Sequence, residues 1–144
     1  MKAIIGIKDL DFDAAHYTGG IESKCKNLHG HTFRVEVEVY GEIEPKSGMV
    51  IDFLLLKRIV KDILSDYDHK IIVPKKDLDK IRIEGPFNIE FKAIEYPEAT
   101  TEYIALDIAR RIYDKIGTPV IVKLYEGLRN YVVVKWGFKN ERDS

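Results

Sequence analysis

The sequence predicts an α+β fold: an antiparallel four-stranded sheet, an extra hairpin, and two helices on one face. Three observations carry this. One stretch alternates apolar and polar residues, two stretches repeat apolar residues at helical spacing, and the last third ends in two apolar stretches joined by a short turn. At 144 residues the chain is long enough to bury a core, and residues 1–144 read as one domain.

Residues 1–12 or so form an opening strand. Residues 32–40, TFRVEVEVY, put Phe33, Val35, Val37 and Val39 on one face and Arg34, Glu36, Glu38 and Tyr40 on the other. That is a half-buried strand. GEIEPKSG follows as a turn. Residues 53–66 carry Leu56, Ile59, Val60, Ile63 and Leu64 at helical spacing, with Asp52 placed to cap the start. Residues 80–94 read as a hairpin: Ile81 and Ile83 alternate, EGPFN turns, and Ile89 and Phe91 alternate again. Residues 101–116 form a second helix with Ile104, Ala105, Ile108, Ala109 and Ile112 on one face, ended by Gly117 and Pro119. VIVKLYE and YVVVKW are the closing strands, joined by GLRN.

Composition narrows the function classes. A formal net charge of -1 gives no electrostatic case for nucleic acid or a membrane as partner. No apolar run approaches the roughly 20 residues that cross a bilayer. The opening MKAIIGIKDLDFDAAH has acids where a signal peptide needs apolar residues. A single cysteine excludes an internal disulfide, so the expected compartment is the reducing cytoplasm.

CKNLHGHTF, residues 25–33, holds that cysteine and two of the four histidines. His29 and His31 share parity with the apolar face of the following strand. A strand running back to residue 29 therefore points both imidazoles inward, where each leaves a polar nitrogen to satisfy. A divalent metal satisfies both, and zinc suits neutral imidazole. His16, in FDAAH, is the candidate third ligand. The alternative is a set of hydrogen-bonded or surface histidines. Cys25 is open between a fourth ligand closing a structural zinc site, a free reactive thiol, and inert packing. Asp68 and His69, in DYDHK, are either a solvated helix end or a proton relay. Glu126 shares parity with Val120, Val122 and Leu124, so it ends an apolar face. It stands either at a pocket mouth, where it can accept two N–H bonds from an amidine-like ring edge, or in solvent. Thr100, Thr101 and Glu102 open the second helix as a hydroxyl cap and a first-turn acid.

Taken together these segments resemble the 6-pyruvoyltetrahydropterin synthase family, including its 6-carboxytetrahydropterin synthase branch. FDAAH looks like the first zinc-ligand segment, and CKNLHGHTF is similar to the family's C-x-x-L-H-G-H segment. GMVIDFLLLK, YDHKIIVP, ATTEYIA and VKLYEG are similar to four further segments, in the family's order. The resemblance implies zinc on His16, His29 and His31 with a position open for substrate. It implies Cys25 as catalytic base, Asp68 and His69 as relay, Glu126 holding the pterin ring, and Thr100, Thr101 and Glu102 shaping that pocket. It also implies the tunnelling fold, in which subunits join sheets into an oligomeric barrel. The assembly expected is a homo-hexamer, a dimer of trimers, with active sites at subunit interfaces.

The activity implied is a lyase acting on 7,8-dihydroneopterin triphosphate to give 6-carboxy-5,6,7,8-tetrahydropterin, acetaldehyde and triphosphate, on the route to deazapurine tRNA bases such as queuosine. Pyruvoyltetrahydropterin synthesis and aldolase-like cleavage use the same residues. A zinc-binding oligomeric scaffold without turnover needs only the three histidines. Ala99, Tyr103 and Gly127 stand where the family more often has Pro, Asn and Thr, and the 80–94 segment is longer than in the shortest members.

Overall fold

Strand β1 (Lys2–His16) and strand β2 (His29–Glu42) pair antiparallel along almost their whole length. A bulge interrupts β1: Ile7 pairs with Val37 but Leu10 pairs with Val35, one residue too many on β1. Asp9 sits in the bulge at φ 65°, a left-handed conformation that non-glycine residues adopt rarely. The extra residue reverses the strand's parity. Ile5 and Ile7 face the core side before it; Leu10, Phe12, Ala14 and His16 face it afterwards. This computed structural model describes residues 1–19 and 23–139.

The sheet has six strands in the order β4-β3-β1-β2-β5-β6, with β3 at Lys70–Pro74, β4 at Phe91–Ile94, β5 at Val120–Glu126 and β6 at Asn130–Trp136. The antiparallel unit of four is β1, β2, β5 and β6, as expected. The other two strands differ from the expectation. β3 pairs parallel to β1, and β4 pairs parallel to β3, so the sheet is mixed and residues 80–94 form no hairpin. Residues 75–80 make a 3₁₀ helix, and residues 81–90 run irregularly into β4. The Ile81/Ile83 alternation has no face to bury: Ile83 is exposed. The strand lies instead in KIIVP, a short apolar run without alternation, whose Ile72 and Val73 are fully buried.

Three α-helices complete the described residues: the four-residue α1 (Ser23–Lys26), α2 (Phe53–Leu64) and α3 (Thr101–Ile116). The caps are those the sequence predicts. Asp52 accepts from the Leu55 amide at 3.0 Å, Thr100 Oγ1 accepts from the Tyr103 amide, and Gly117 closes α3 at φ 73°. Leu56, Val60, Ile63 and Leu64 of α2 and Ile104, Ala105, Ile108, Ala109 and Ile112 of α3 pack onto Phe12, Phe33, Val35, Val37, Val122 and Leu124 of the sheet. Among the described residues no helix is long and apolar enough to cross a membrane. The core ends at His16, and that edge carries the site.

Candidate active site

β1 and β2 bring their histidines together by register. His16 pairs with His29, and Ala14 with His31. Even positions of β1 and odd positions of β2 face the core here, so all three imidazoles lie on one side of the sheet. Ring centroids are 4.8 Å apart for His16–His29, 4.8 Å for His29–His31 and 5.3 Å for His16–His31. Phe33 forms the apolar floor, 5.5 Å from the His16 ring and 5.7 Å from the His31 ring.

The protons on two of these rings are set by the backbone. His16 Nδ1 lies 2.8 Å from the Ala99 carbonyl, and His29 Nδ1 lies 2.5 Å from the Asn27 carbonyl. A carbonyl only accepts, so each Nδ1 carries the hydrogen and each Nε2 of the neutral ring holds a free lone pair. Burial pushes the imidazoles of His16 and His31 below their ordinary range, against the opposing pull of Glu126. The shift favours the neutral ring, the form that ligates a metal. One potential ligand atom from each of the three histidines falls within 4.8 Å of the others. His31 Nε2 is buried and has no hydrogen-bond partner among the described residues, with Glu126 Oε1 3.2 Å away. Three imidazoles, two orientated by carbonyls and one with an unmet nitrogen, fit a zinc ion held by three protein ligands.

Glu126 closes the site from β5. The β2–β5 register sets it opposite Phe33. Its Oε1 faces His31, while Oε2 stands 3.7 Å from His16 Nε2 and accepts the Thr101 hydroxyl. Thr101 is buried at the first position of α3, so the helix start orientates the carboxylate. Of the three residues expected at this helix, Thr101 reaches the site, Thr100 is the cap, and Glu102 is exposed.

Asp68 and His69 form a pair, Oδ2 to Nδ1 at 3.0 Å, on the turn before β3. Asp13 clips that turn to β1. Its amide donates to Asp68 Oδ1 at 2.9 Å, and its carbonyl accepts from the His69 amide at 2.6 Å. His69 takes φ 61° there. The Asp13 amide holds the Asp68 carboxyl below its usual range, with the His69 ring adding to the effect. His69 and His31 line one open groove of about 500 Å³, with Asp13, Thr32 and Lys70. Cys25 is exposed on α1, and its thiol is outside the three-histidine group. Its carbonyl accepts from the Thr18 amide at 2.8 Å.

Sequence reasoning missed Ala99, Asn27 and Asp13. The first two act through main-chain carbonyls, which carry no residue signature. Asp13 showed one signal, an acid on the outward parity of FDAAH.

The chain matches the family model described as 6-pyruvoyl tetrahydropterin synthase over residues 6–136. It is 37% identical to the 6-carboxy-5,6,7,8-tetrahydropterin synthase of Haemophilus influenzae, across 76% of this chain and 79% of that protein. It is 40% identical to the dihydroneopterin monophosphate aldolase of Pyrococcus furiosus, across 94% of this chain and all of that protein (100%). The crystal structure of Plasmodium vivax 6-pyruvoyl tetrahydropterin synthase superposes with a TM-score of 0.77, covering 96% of this chain and 99% of that one at 23% identity. That likeness, with the curled mixed sheet, gives the tunnelling fold. The chain belongs to the 6-pyruvoyl tetrahydropterin synthase family.

Proposed function

We propose that the chain is a zinc-dependent lyase that converts 7,8-dihydroneopterin triphosphate and water into 6-carboxy-5,6,7,8-tetrahydropterin, acetaldehyde and triphosphate. A tetrahydropterin synthase type of activity follows from the family and its named relatives. The observation that carries the finer reading is the facing of Glu126 and the three histidines across one end of the core.

His16, His29 and His31 would hold the zinc. Bound there, it would act as a Lewis acid on the oxygens of the substrate side chain and acidify the neighbouring C–H and O–H bonds. Glu126 accepts two N–H bonds from the pterin's amidine-like edge, and Thr101 keeps the carboxylate turned to receive them. Cys25, as thiolate, takes a proton from the substrate side chain. His69 passes protons to and from that side chain, with Asp68 stabilising the imidazolium. Thr100 and Glu102 shape the start of α3 beside this pocket. The active unit is a homo-hexamer of one-domain subunits in the cytoplasm, with sites at subunit interfaces. The exposed Phe53 and Leu54 on α2 and Tyr131 and Val133 on the edge strand β6 support burial against further copies.

Aldol cleavage of a dihydroneopterin is the second reading, favoured by the 40% identity to the Pyrococcus furiosus aldolase. Product analysis by mass spectrometry, on zinc-loaded protein given 7,8-dihydroneopterin triphosphate, decides between them. Carboxytetrahydropterin with acetaldehyde is expected. Glycolaldehyde or its phosphorylated form with a hydroxymethylpterin would establish the aldolase, and no product would refute the lyase and point to a different pterin substrate or to a scaffold without turnover.

A further inference from the structure

Between His16 and His29 the chain leaves β1 and returns as β2, and Cys25 lies on that connection. Two acids from elsewhere in the fold hold its first part. The Tyr17 hydroxyl donates to Asp77 Oδ2 at 2.7 Å, and Asp77 belongs to the 3₁₀ helix after β3. The Gly19 amide donates to Glu98 Oε2 at 3.0 Å, from the connection between β4 and α3. A Cβ on Gly19 would stand 2.7 Å from Glu98 Oε1, so the carboxylate lies close against the Gly19 backbone. The Thr18 amide then donates to the Cys25 carbonyl at 2.8 Å. Hydrogen bonds and three consecutive residues thus link two distant acids to the main chain of Cys25.

This linkage matters because it ties down the segment that bears the thiol. A four-residue helix has no stability of its own, and the Cys25 side chain is exposed. The backbone anchors therefore bear on where the thiol stands. We propose that Asp77 and Glu98 are positioning residues that, through the Tyr17 hydroxyl and the Gly19 amide, fix the connection carrying Cys25 and so fix where its thiol stands against a bound pterin. The inference rests on Cys25 being the base that takes the substrate proton. It also gives the 75–80 helix a task, although that helix contributes nothing to the three-histidine group.

The test uses the full-length, zinc-loaded protein with Tyr17→Phe, Asp77→Ala, Asp77→Asn and Glu98→Ala. Losing a hydrogen bond to a carboxylate loosens a segment by about tenfold. Tyr17→Phe, Asp77→Ala and Glu98→Ala are therefore each expected to raise amide exchange at Thr18 and to lower kcat by about tenfold. KM and zinc content stay within about twofold, since the pterin and metal contacts are elsewhere. Asp77→Asn keeps an acceptor oxygen and restores most of the kcat, which a merely structural loss would not show. Unchanged exchange and kcat in Tyr17→Phe and Glu98→Ala overturn the proposal. Faster Thr18 exchange alongside full turnover by Cys25→Ala upholds the clasp but removes its catalytic consequence, and the reading of Cys25 as base falls.

Discussion

Glu126 Oε1 lies 3.2 Å from His31 Nε2, and the other oxygen of the same carboxylate receives the Thr101 hydroxyl. The last residue of β5 is thereby turned toward the imidazoles and held there by the first residue of α3. It has little freedom to rotate into solvent, yet its own pairing potential is not exhausted. A carboxylate fixed beside a metal-competent group and still able to accept hydrogen bonds is what recognition of a flat N–H edge requires.

Glu126→Ala should therefore weaken catalysis without emptying the metal site. A hydrogen bond to a charged group contributes roughly 1.5–3 kcal/mol, so kcat/KM should fall about ten- to a hundredfold. Glu126→Gln keeps the acceptor for Thr101 but loses the charge, and its loss should be intermediate. Steady-state kinetics with zinc determination checks both. Glu126→Ala at full kcat/KM would remove the carboxylate from substrate recognition.

His31→Ala should abolish stoichiometric zinc binding, because only two imidazoles then remain in the group. Zinc binding to the folded chain alone stabilises it by about 2.7 kcal/mol at a hundred times Kd. Adding zinc to chelator-treated protein should thus raise Tm in the wild type and leave His31→Ala unmoved. Calorimetry with and without zinc reads this directly, and an equal rise in both proteins would place the metal elsewhere.

Much of this site could be read before the fold was known. Parity along TFRVEVEVY put His29 and His31 inward, and parity along VIVKLYE did the same for Glu126. Both are local properties with a period of two, so they survive folding. His16 shares the local parity of Leu10, Phe12 and Ala14, but the bulge at Asp9 sets that stretch out of phase with Ile5 and Ile7, so the whole strand shows no single alternation. The hairpin over residues 80–94 failed for the opposite reason. Alternation existed there, but burial did not, and β3 and β4 pair parallel through partners far apart in sequence. The attachment of the Cys25 connection runs through Asp77 and Glu98, which have no periodic signature at all.

Two lowered carboxyls should shape acid stability. The Arg111 guanidinium holds the Asp66 carboxyl below its usual range, and the Asp13 amide does so for Asp68. A depressed folded pKa means that the unfolded chain binds the proton more readily. The stabilisation from these groups is therefore present above the ordinary carboxylate pKa and is lost as pH falls through the folded values. Urea midpoints measured from pH 6 downward should fall less steeply in Asp66→Asn and Asp68→Asn than in the wild type. Parallel curves for all three proteins would show that neither acid is coupled to folding.

Tyr67 should matter for stability through its hydroxyl as well as its ring. The side chain is fully buried, its ring 5.7 Å from Phe12, and the hydroxyl donates to Asp107, itself only 3% exposed. Asp107 also accepts from Arg110 Nη2 at 2.8 Å. Tyr67→Phe keeps the ring and the packing but leaves a buried carboxylate one donor short, which costs about 1–3 kcal/mol. Asp107→Asn weakens the same bond from the other side, so the two substitutions should not add. A double-mutant cycle by urea denaturation should give a coupling of about 1 kcal/mol or more between them. Additive losses would mean that the hydroxyl and the carboxylate stabilise the chain independently, and that Arg110 alone satisfies Asp107.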